Sequence, residues 1–303
     1  MRVGFKMRGR KSVWNNAPLA LWLILPGLLL FLCFNLYPIV HSLYVSATDM
    51  NFYNIGEHIN FIGLSNYQKL LGDPHIYRAI ILTLIFVATS VPLKILAGLL
   101  FAFILNSEQV LGKPILRSLS ILPWVVPLIF SCFLWRGMFT FDFGAVNQIF
   151  KSIGLPAVNW LYDARNAFIV YIIVEVWLAY PFIMTVLLGA MQSIPPDLYE
   201  SASMDGAGTW RKLKSITVPL IKRPLLFTAI LTSISSITMF MVPFLINDAG
   251  PGRSNDFMMV YGYKEAFQGG RYGYAAAFMV IAMLICSVFI IISLKASKLT
   301  KEE

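Results

Sequence analysis

The architecture of this chain is marked most clearly by YESASMDGAGTWRKLKSITVP, residues 199–219, a polar segment between two long apolar runs. Pro195 and Pro196 precede it, and Gly206 and Gly208 interrupt it. Proline suits the first turn of a helix, where its missing N–H is not needed, and glycine suits the residue just after a helix. The pattern therefore predicts two short helices joined by a glycine turn.

The first predicted helix covers residues 198–204 and carries small side chains. Ser201, Ala202 and Ser203 leave room for the backbone of another protein to come close. Asp205 follows at the end of this helix, where the helix dipole disfavours a negative charge. A local role would offset that cost, and we expect Asp205 to cap the second helix across the turn.

The second predicted helix begins with Thr209 as its N-cap and ends at Pro219. Its apolar side chains recur every three to four residues, opposite a basic face: Trp210, Leu213, Ile216 and Thr217 against Arg211, Lys212 and Lys214. Such a unit is typical of an amphipathic loop at a membrane surface. The residues alone leave open whether another protein binds it.

The composition indicates an all-α membrane protein. Of 303 residues, 58% are apolar and only 13% are charged, whereas soluble domains carry about 25% charged residues. A membrane-spanning helix needs roughly 20 apolar residues. Six segments qualify as transmembrane helices: 18–44, 78–105, 116–139, 167–191, 224–246 and 272–294. The first is too long for the apolar core of a signal peptide, so we expect it to be retained.

The basic residues predict the orientation of the six helices. With both termini in the cytoplasm, most of the 24 Lys and Arg residues fall on the inner side, as the positive-inside rule requires. This distribution explains the net charge of +9 without a nucleic-acid partner. The basic inner residues include Arg2, Lys6, Arg8, Arg10, Lys11, Lys298 and Lys301 of the two tails.

The predicted organisation has three parts. Residues 1–77 form the N-terminal tail, first span and first outer loop. Residues 78–294 form a bundle of five spans that contains the polar loop at 192–223, and residues 295–303 form a C-terminal tail.

The polar loop resembles the EAA loop of binding-protein-dependent ABC importer permeases. The matching residues are Glu200, Ser201, Ala202, Asp205, Gly206 and Ala207, followed by Ile216, Thr217, Pro219 and Pro224. In that family the loop docks into a cleft of a cytosolic ATPase subunit. The resemblance implies that the ATPase-coupling residues are Tyr199, Glu200, Ser201, Ala202, Met204, Asp205, Gly206, Ala207 and Gly208, with Glu200 forming an ion pair and Asp205 and Gly206 setting the loop geometry.

The resemblance covers nearly the whole chain and favours the carbohydrate branch of the family. The residues that carry it outside the loop are Leu25, Pro26 and Gly27, Leu36, Tyr37 and Pro38, Phe61 to Tyr67, and Gly250, Pro251 and Gly252. It implies a type I ABC importer permease fold in the cytoplasmic membrane. It also implies four kinds of partner: a second homologous permease, two ATPase subunits that bind ATP and Mg²⁺, an extracytoplasmic sugar-binding protein, and membrane lipid.

Two predicted spans carry candidate sugar contacts. The fourth places the aromatic rings of Tyr180 and Phe182 beside Pro181, and the fifth is rich in hydroxyl groups. Resemblance to the maltose permeases of the family, aligned through the EAA loop, implies contacts from Leu178, Ala179, Phe182, Thr232 and Ser236. Helix packing through Ser and Thr and a purely structural kink at Pro181 remain open alternatives.

Two charged residues, Lys94 and Glu175, lie inside predicted spans. Ionisable groups in a membrane indicate function by default. Counted from the outer ends of their spans, their depths differ by roughly 12 Å, so we expect separate positions rather than a direct ion pair. An ion-coupled secondary transporter that uses these two residues is an alternative function, as is an ABC permease for a non-sugar solute.

No catalytic or metal site is expected. The chain lacks the G-x-x-x-x-G-K-[ST] phosphate loop, so it carries no ATPase of its own. Its three cysteines and three histidines show no metal-ligand spacing. We therefore expect a transport subunit without a cofactor rather than an enzyme.

Overall fold

The structure is a computed structural model that describes residues 17–297, with side chains from Leu21 onward. Within this part of the chain every extended regular element is a helix, and β-pairing is limited to one bridge between Thr48 and Phe61. The all-α prediction is confirmed. The predicted inner charges of the N-terminal tail, Lys298 and Lys301 lie outside the described residues.

The α-helices are numbered in chain order. They are α1 (Ala17–Phe31), α2 (Tyr37–Ser46), α3 (Ser65–Leu71), α4 (Pro74–Asn106), α5 (Lys113–Val125), α6 (Leu128–Met138), α7 (Ala145–Ser152), α8 (Ala164–Gln192), α9 (Pro196–Met204), α10 (Thr209–Lys212), α11 (Val218–Leu220), α12 (Lys222–Ile237), α13 (Met241–Asn247), α14 (Met258–Tyr263) and α15 (Tyr272–Ser297). Single π-helical turns join α1 to α2 and α10 to α11.

Four helical stretches are long and apolar enough to cross a membrane. They are Leu21–Ser46, which includes α1 and α2, then α4, α8 and α15. Two further pairs of helices qualify when each bent pair is taken as one span, which gives up to six. They are α5 with α6, and Thr209–Leu220 with α12. The described residues thus support four to six crossings.

The third predicted span, 116–139, is not one straight helix. It is divided into α5 and α6, which meet at an angle of 95°. Val126 between them is extended (φ −68°, ψ 127°), because it precedes Pro127 and the proline ring disfavours a helical residue before it.

The fifth predicted span, 224–246, is also divided. Helix α12 ends at Ile237, and α13 begins only at Met241. Pro243 lies in the first turn of α13. A continuous helix would bring its ring against the carbonyl of residue 239, so the chain breaks before it.

The core of the bundle is the crossing of α4 and α8. At Gly98 a side chain is absent, and an added Cβ would lie 2.5 Å from Cγ2 of Ile183. Ile183, Met184 and Leu187 are fully buried there. Helix α12 packs against both α4 and α8, so the three helices enclose the middle of the bundle.

The end of the bundle at the start of α4 is held by Asp73. Its carboxylate accepts hydrogen bonds from the His75 backbone N–H at 2.9 Å and from the hydroxyls of Tyr261 and Tyr274 at 2.9 and 2.7 Å. Burial acts to raise the pKa of Asp73, but these hydrogen bonds prevail and lower it from its usual value. An ionised Asp73 thus joins α4, α14 and α15.

Candidate functional site

The polar loop folds into a helix–turn–helix, and glycine sets its turn. Helix α9 begins at Pro196, two residues before the predicted start at residue 198, because proline suits the first turn of a helix. At its end the Gly206 N–H donates to the Ser203 carbonyl, and the Ala207 N–H donates to the Ala202 carbonyl at 2.9 Å. This is a Schellman turn, which requires a left-handed residue, and Gly206 supplies it with φ +74°.

The second helix of the unit differs from the prediction at both ends. Its N-cap is Gly208 rather than Thr209, and its last helical residue is Leu220 rather than Pro219. A π-helical turn over Leu213–Thr217 precedes Pro219. The proline is tolerated because the α-helical hydrogen-bond ladder is already interrupted at that turn.

Two side-chain contacts tie the helices of the unit together. The hydroxyls of Tyr199 and Thr217 lie 2.9 Å apart, and Lys212 Nζ donates to Ser203 Oγ at 2.5 Å. The predicted capping role of Asp205 is wrong: Asp205 is the C-cap residue of α9, and Gly208 at the start of the next helix receives no side-chain cap. The turn is closed by backbone bonds instead.

The outer surface of this helix–turn–helix is unusually apolar for a polar segment. No residue of α9 is buried, and Met204 is 84% exposed. Leu198 and Trp210 are exposed as well. Large apolar side chains on a water-facing polar unit indicate a surface that another molecule covers.

A cavity of about 500 Å³ lies near the midpoint of α8, against α12 and the α5–α6 bend. Four of the six predicted sugar contacts line it: Leu178, Ala179, Phe182 and Thr232. Clefts of about 300–1,000 Å³ with apolar walls and a few polar groups are typical ligand sites. The structure therefore brings most of the predicted contact set to one place.

Two predicted contacts lie elsewhere. Tyr180 does not line the cavity, and its ring stacks on Phe101 of α4 with centroids 4.6 Å apart. Ser236 is buried and away from the cavity, where its hydroxyl accepts a hydrogen bond from Lys94 and donates to the Thr232 carbonyl. Helical spacing places Tyr180 two residues from Phe182, on another face of α8.

The α5–α6 bend supplies cavity residues that were not predicted. Trp124 lines the cavity beside Phe182, with ring centroids 6.1 Å apart, and Pro123 and Pro127 flank it. The sequence did contain a signal for this bend, because two prolines lie four residues apart within one apolar run. A broken helix inside a membrane is tolerated where it lines a cavity.

Lys94 and Glu175 form a direct ion pair, so the expectation of separate positions is wrong. Nζ lies 2.6 Å from Glu175 Oε2 and 2.9 Å from Ser236 Oγ. The helix ends are a poor reference because α4 and α8 are staggered. Counted from the Gly98–Ile183 contact, the two residues differ by only four positions, about 6 Å, which a lysine stem spans.

Together these features define an integral membrane protein of the transport-permease class, with a helical bundle, a cavity at mid-bundle and an exposed helix–turn–helix at one end. The chain belongs to the family of binding-protein-dependent transport system inner membrane components, whose sequence profile matches residues 74–298. That family consists of transport permeases rather than enzymes.

Two named permease proteins are similar to this chain in sequence. The trehalose/maltose transport system permease protein MalF of Thermococcus litoralis is 33% identical over 293 residues, which covers 96% of this chain and 98% of that protein. The maltose/maltodextrin transport system permease protein MalF of Salmonella typhimurium is 31% identical over 253 residues, covering 78% of this chain and 49% of that longer protein.

A solved structure shares the fold. A chain of a bacterial alginate ABC transporter, crystallised in complex with an alginate pentasaccharide-bound periplasmic protein, superposes with a TM-score of 0.79. The identity is 24%, and the match covers 95% of this chain and 96% of that one.

Proposed function

We propose that this chain is the permease subunit of an ATP-driven ABC importer for a sugar or oligosaccharide. The observation that carries this proposal is the exposed helix–turn–helix formed by α9 to α11 at one end of the bundle. Membership of a binding-protein-dependent family and relatives named for trehalose, maltose and maltodextrin support the sugar class.

The proposed assembly contains a second homologous permease, two ATPase subunits and an extracytoplasmic sugar-binding protein. ATP and Mg²⁺ bind the ATPase subunits, and this chain carries no cofactor. It crosses the cytoplasmic membrane six times, with α5 and α6 forming the third crossing, α12 and α13 the fifth, and both termini inside. The periplasmic protein in the similar alginate complex supports the binding-protein partner.

In the proposed mechanism, closure of the ATPase pair moves the helix–turn–helix, and the bundle alternates between access from either side. Glu200, exposed on α9, forms an ion pair with the ATPase, while Gly206 holds the turn. Met204 and the small residues Ser201 and Ala202 fit the ATPase cleft. The hydrogen bond between Tyr199 and Thr217 carries the motion from α9 into the second helix.

Sugar passes through the cavity beside α8. Phe182 and Trp124 present aromatic faces to sugar rings, and Thr232 offers a hydroxyl. Leu178 and Ala179 complete the contact set on α8. Tyr180 and Ser236 are omitted from this set because neither lines the cavity.

The test is co-purification from the native membrane with mass spectrometry of everything retained, followed by uptake of radiolabelled maltose, trehalose and other oligosaccharides. We expect an ATPase, a second permease and a binding protein, and uptake that stops when the ATPase phosphate loop is mutated. A chain that purifies alone, or uptake that a protonophore abolishes while ATP is held constant, would refute the proposal and favour ion coupling through Lys94 and Glu175.

A further inference from the structure

The Lys94–Glu175 pair presents only one of its two charges to the cavity. Glu175 lines the cavity and its side chain is 13% exposed, whereas the Lys94 side chain is 1% exposed and lies behind it. The pair is thus oriented, with the Glu175 carboxylate at the open space and the Lys94 ammonium buried between α4, α8 and α12.

The hydrogen bonds of the pair fix this orientation. Lys94 donates to Oε2 of Glu175 and to Ser236 Oγ, which joins α4, α8 and α12 through one ammonium group. Within residues 17–297 no hydrogen bond is made to Oε1, the second carboxylate oxygen of Glu175. That oxygen is available to whatever occupies the cavity.

In the part of the chain that the structure describes, the rest of the cavity wall brings no charge that would offset the carboxylate. Glu175 is the only formally charged residue among the described residues that line it. Between low-dielectric walls a single carboxylate acts over several ångströms, and the buried ammonium, being farther from the space, cancels only part of its field.

We propose that Glu175, held by Lys94, makes this cavity selective against anionic solutes, so that the substrate class is uncharged sugars rather than sugar acids or sugar phosphates. This inference rests on the proposed function for its physiological meaning, because it takes the cavity as the path of the substrate. Glu175 is the specificity-determining residue, and Lys94 is a positioning residue that holds the carboxylate in place.

The sign of the cavity potential can be measured without knowing the substrate. Leu231 lines the cavity on α12, so Leu231→Cys places a reporter thiol there. The background is Cys33→Ser with Cys286→Ala, while the buried Cys132 is retained. The full chain, with the partners that co-purify, is placed in lipid nanodiscs that leave both faces open.

Two methanethiosulfonates of similar size are compared, one bearing a trimethylammonium group and one a sulfonate. Both react with the same thiolate, so the pKa of the reporter cancels in the ratio of their rates. The ratio for 2-mercaptoethanol gives the intrinsic preference of the reagents. We expect the rate of the trimethylammonium reagent divided by that of the sulfonate reagent to be higher in the cavity than for 2-mercaptoethanol. This ratio should fall about tenfold in Glu175→Gln. The double variant Lys94→Met/Glu175→Gln should give a ratio between those of Glu175→Gln and the unmodified pair.

A cavity ratio equal to the 2-mercaptoethanol ratio, or one that Glu175→Gln leaves unchanged, would overturn the inference. If Glu175→Gln does not assemble, the inference is tested in the reporter protein that keeps Lys94 and Glu175. Raising the ionic strength must lower its reagent ratio toward the 2-mercaptoethanol ratio, because salt screens the carboxylate. A ratio that ignores salt contradicts the proposal.

Failure of the proposed function gives a different result. If the reagent ratio is as expected but no sugar is taken up, the cavity is negatively polarised and the proposed function is wrong. If sugar is taken up but the reagents show no preference, the proposed function stands and the charge selection is wrong.

Discussion

At the scale of single residues, the two glycines of the helix–turn–helix differ in backbone conformation. Gly206 closes the turn of the helix–turn–helix from a left-handed backbone with φ +74°. Gly208, two residues later, has φ −68° and open space where a Cβ would lie. The pair offers a matched comparison, because only Gly206 needs the freedom of glycine.

We expect Gly206→Pro to abolish sugar-stimulated ATPase activity while the chain stays in the membrane. Proline requires φ near −65° and lacks the N–H that bonds Ser203, so the Schellman turn cannot form. Gly206→Ala, which costs about 1–2 kcal/mol in this conformation, should give a partial loss. Gly208→Ala is the control for backbone conformation, because φ −68° suits alanine, and it should retain more ATPase stimulation than Gly206→Ala. Normal uptake by Gly206→Pro would disprove the coupling role.

The Lys94–Glu175 pair makes a second prediction at this scale. Removing one member of a buried ion pair costs about 3–5 kcal/mol, since it leaves the other charge uncompensated. Lys94→Met and Glu175→Gln should each lower the thermal midpoint of the detergent-solubilised protein by roughly 10 °C. The measurement is tryptophan fluorescence on heating.

The double variant Lys94→Met/Glu175→Gln is the critical comparison, because it removes both charges together. It should regain most of the lost stability, and Ser236→Ala, which loses one hydrogen-bond partner, should cost only about 1 kcal/mol. Additive effects of the two single changes would show that the residues do not act as a pair.

At the scale of elements, the sequence predicted the straight helices well and the broken ones poorly. Continuous apolar runs identify α4, α8 and α15 because hydropathy depends only on composition. The divisions of the third and fifth spans depend on where proline interrupts the backbone, as Pro127 and Pro243 do. Yet Pro181 lies inside the unbroken α8, so packing decides which proline ends a helix.

The contact between α4 and α8 gives the prediction at this scale. In Gly98→Ala the new Cβ would lie 2.5 Å from Ile183 Cγ2 and 3.1 Å from the Met184 backbone nitrogen. Ile183 is fully buried and has no space to withdraw, so the helices must separate. We expect a loss of about 1–3 kcal/mol and a lower thermal midpoint in detergent.

Gly189→Ala is the matched control on α8. Nothing lies within 4 Å of its added Cβ, and alanine is the better helix former by about 1 kcal/mol. It should therefore match or exceed the wild type in stability. Equal behaviour of the two variants would mean that the helices do not approach as closely as this contact requires.

At the scale of the whole molecule, four of the six predicted sugar contacts lie at one cavity and two lie elsewhere. The resemblance to the maltose permeases implied that Phe182, Thr232 and Ser236 share one site, but it could not reveal that the Ser236 hydroxyl bonds to Lys94 instead. That contact joins residues far apart in sequence, and it depends on the stagger of α4 against α8. Pairing across helices requires their relative positions, which periodicity does not contain.

The first helix raises a related question of assembly. In the stretch Leu21–Ser46 the most apolar window has none of its residues buried within the chain, and large side chains such as Trp22 and Phe34 are exposed. We infer that lipid or the proposed second permease covers this surface, which places α1 in the membrane. In the proposed orientation the two ends of the bundle then lie on opposite sides of the membrane.

The last prediction tests that orientation. Tyr53, between α2 and α3, is 89% exposed, and Met204 at the end of α9 is similarly exposed. With both termini inside, an impermeant maleimide should label Tyr53→Cys in intact cells and Met204→Cys only after permeabilisation, in a chain whose Cys33 is replaced by serine. Permeabilised cells provide the control that both thiols are reactive. Labelling of Met204→Cys in intact cells would place the helix–turn–helix outside, where no ATPase could reach it, and the importer mechanism would be excluded by topology alone.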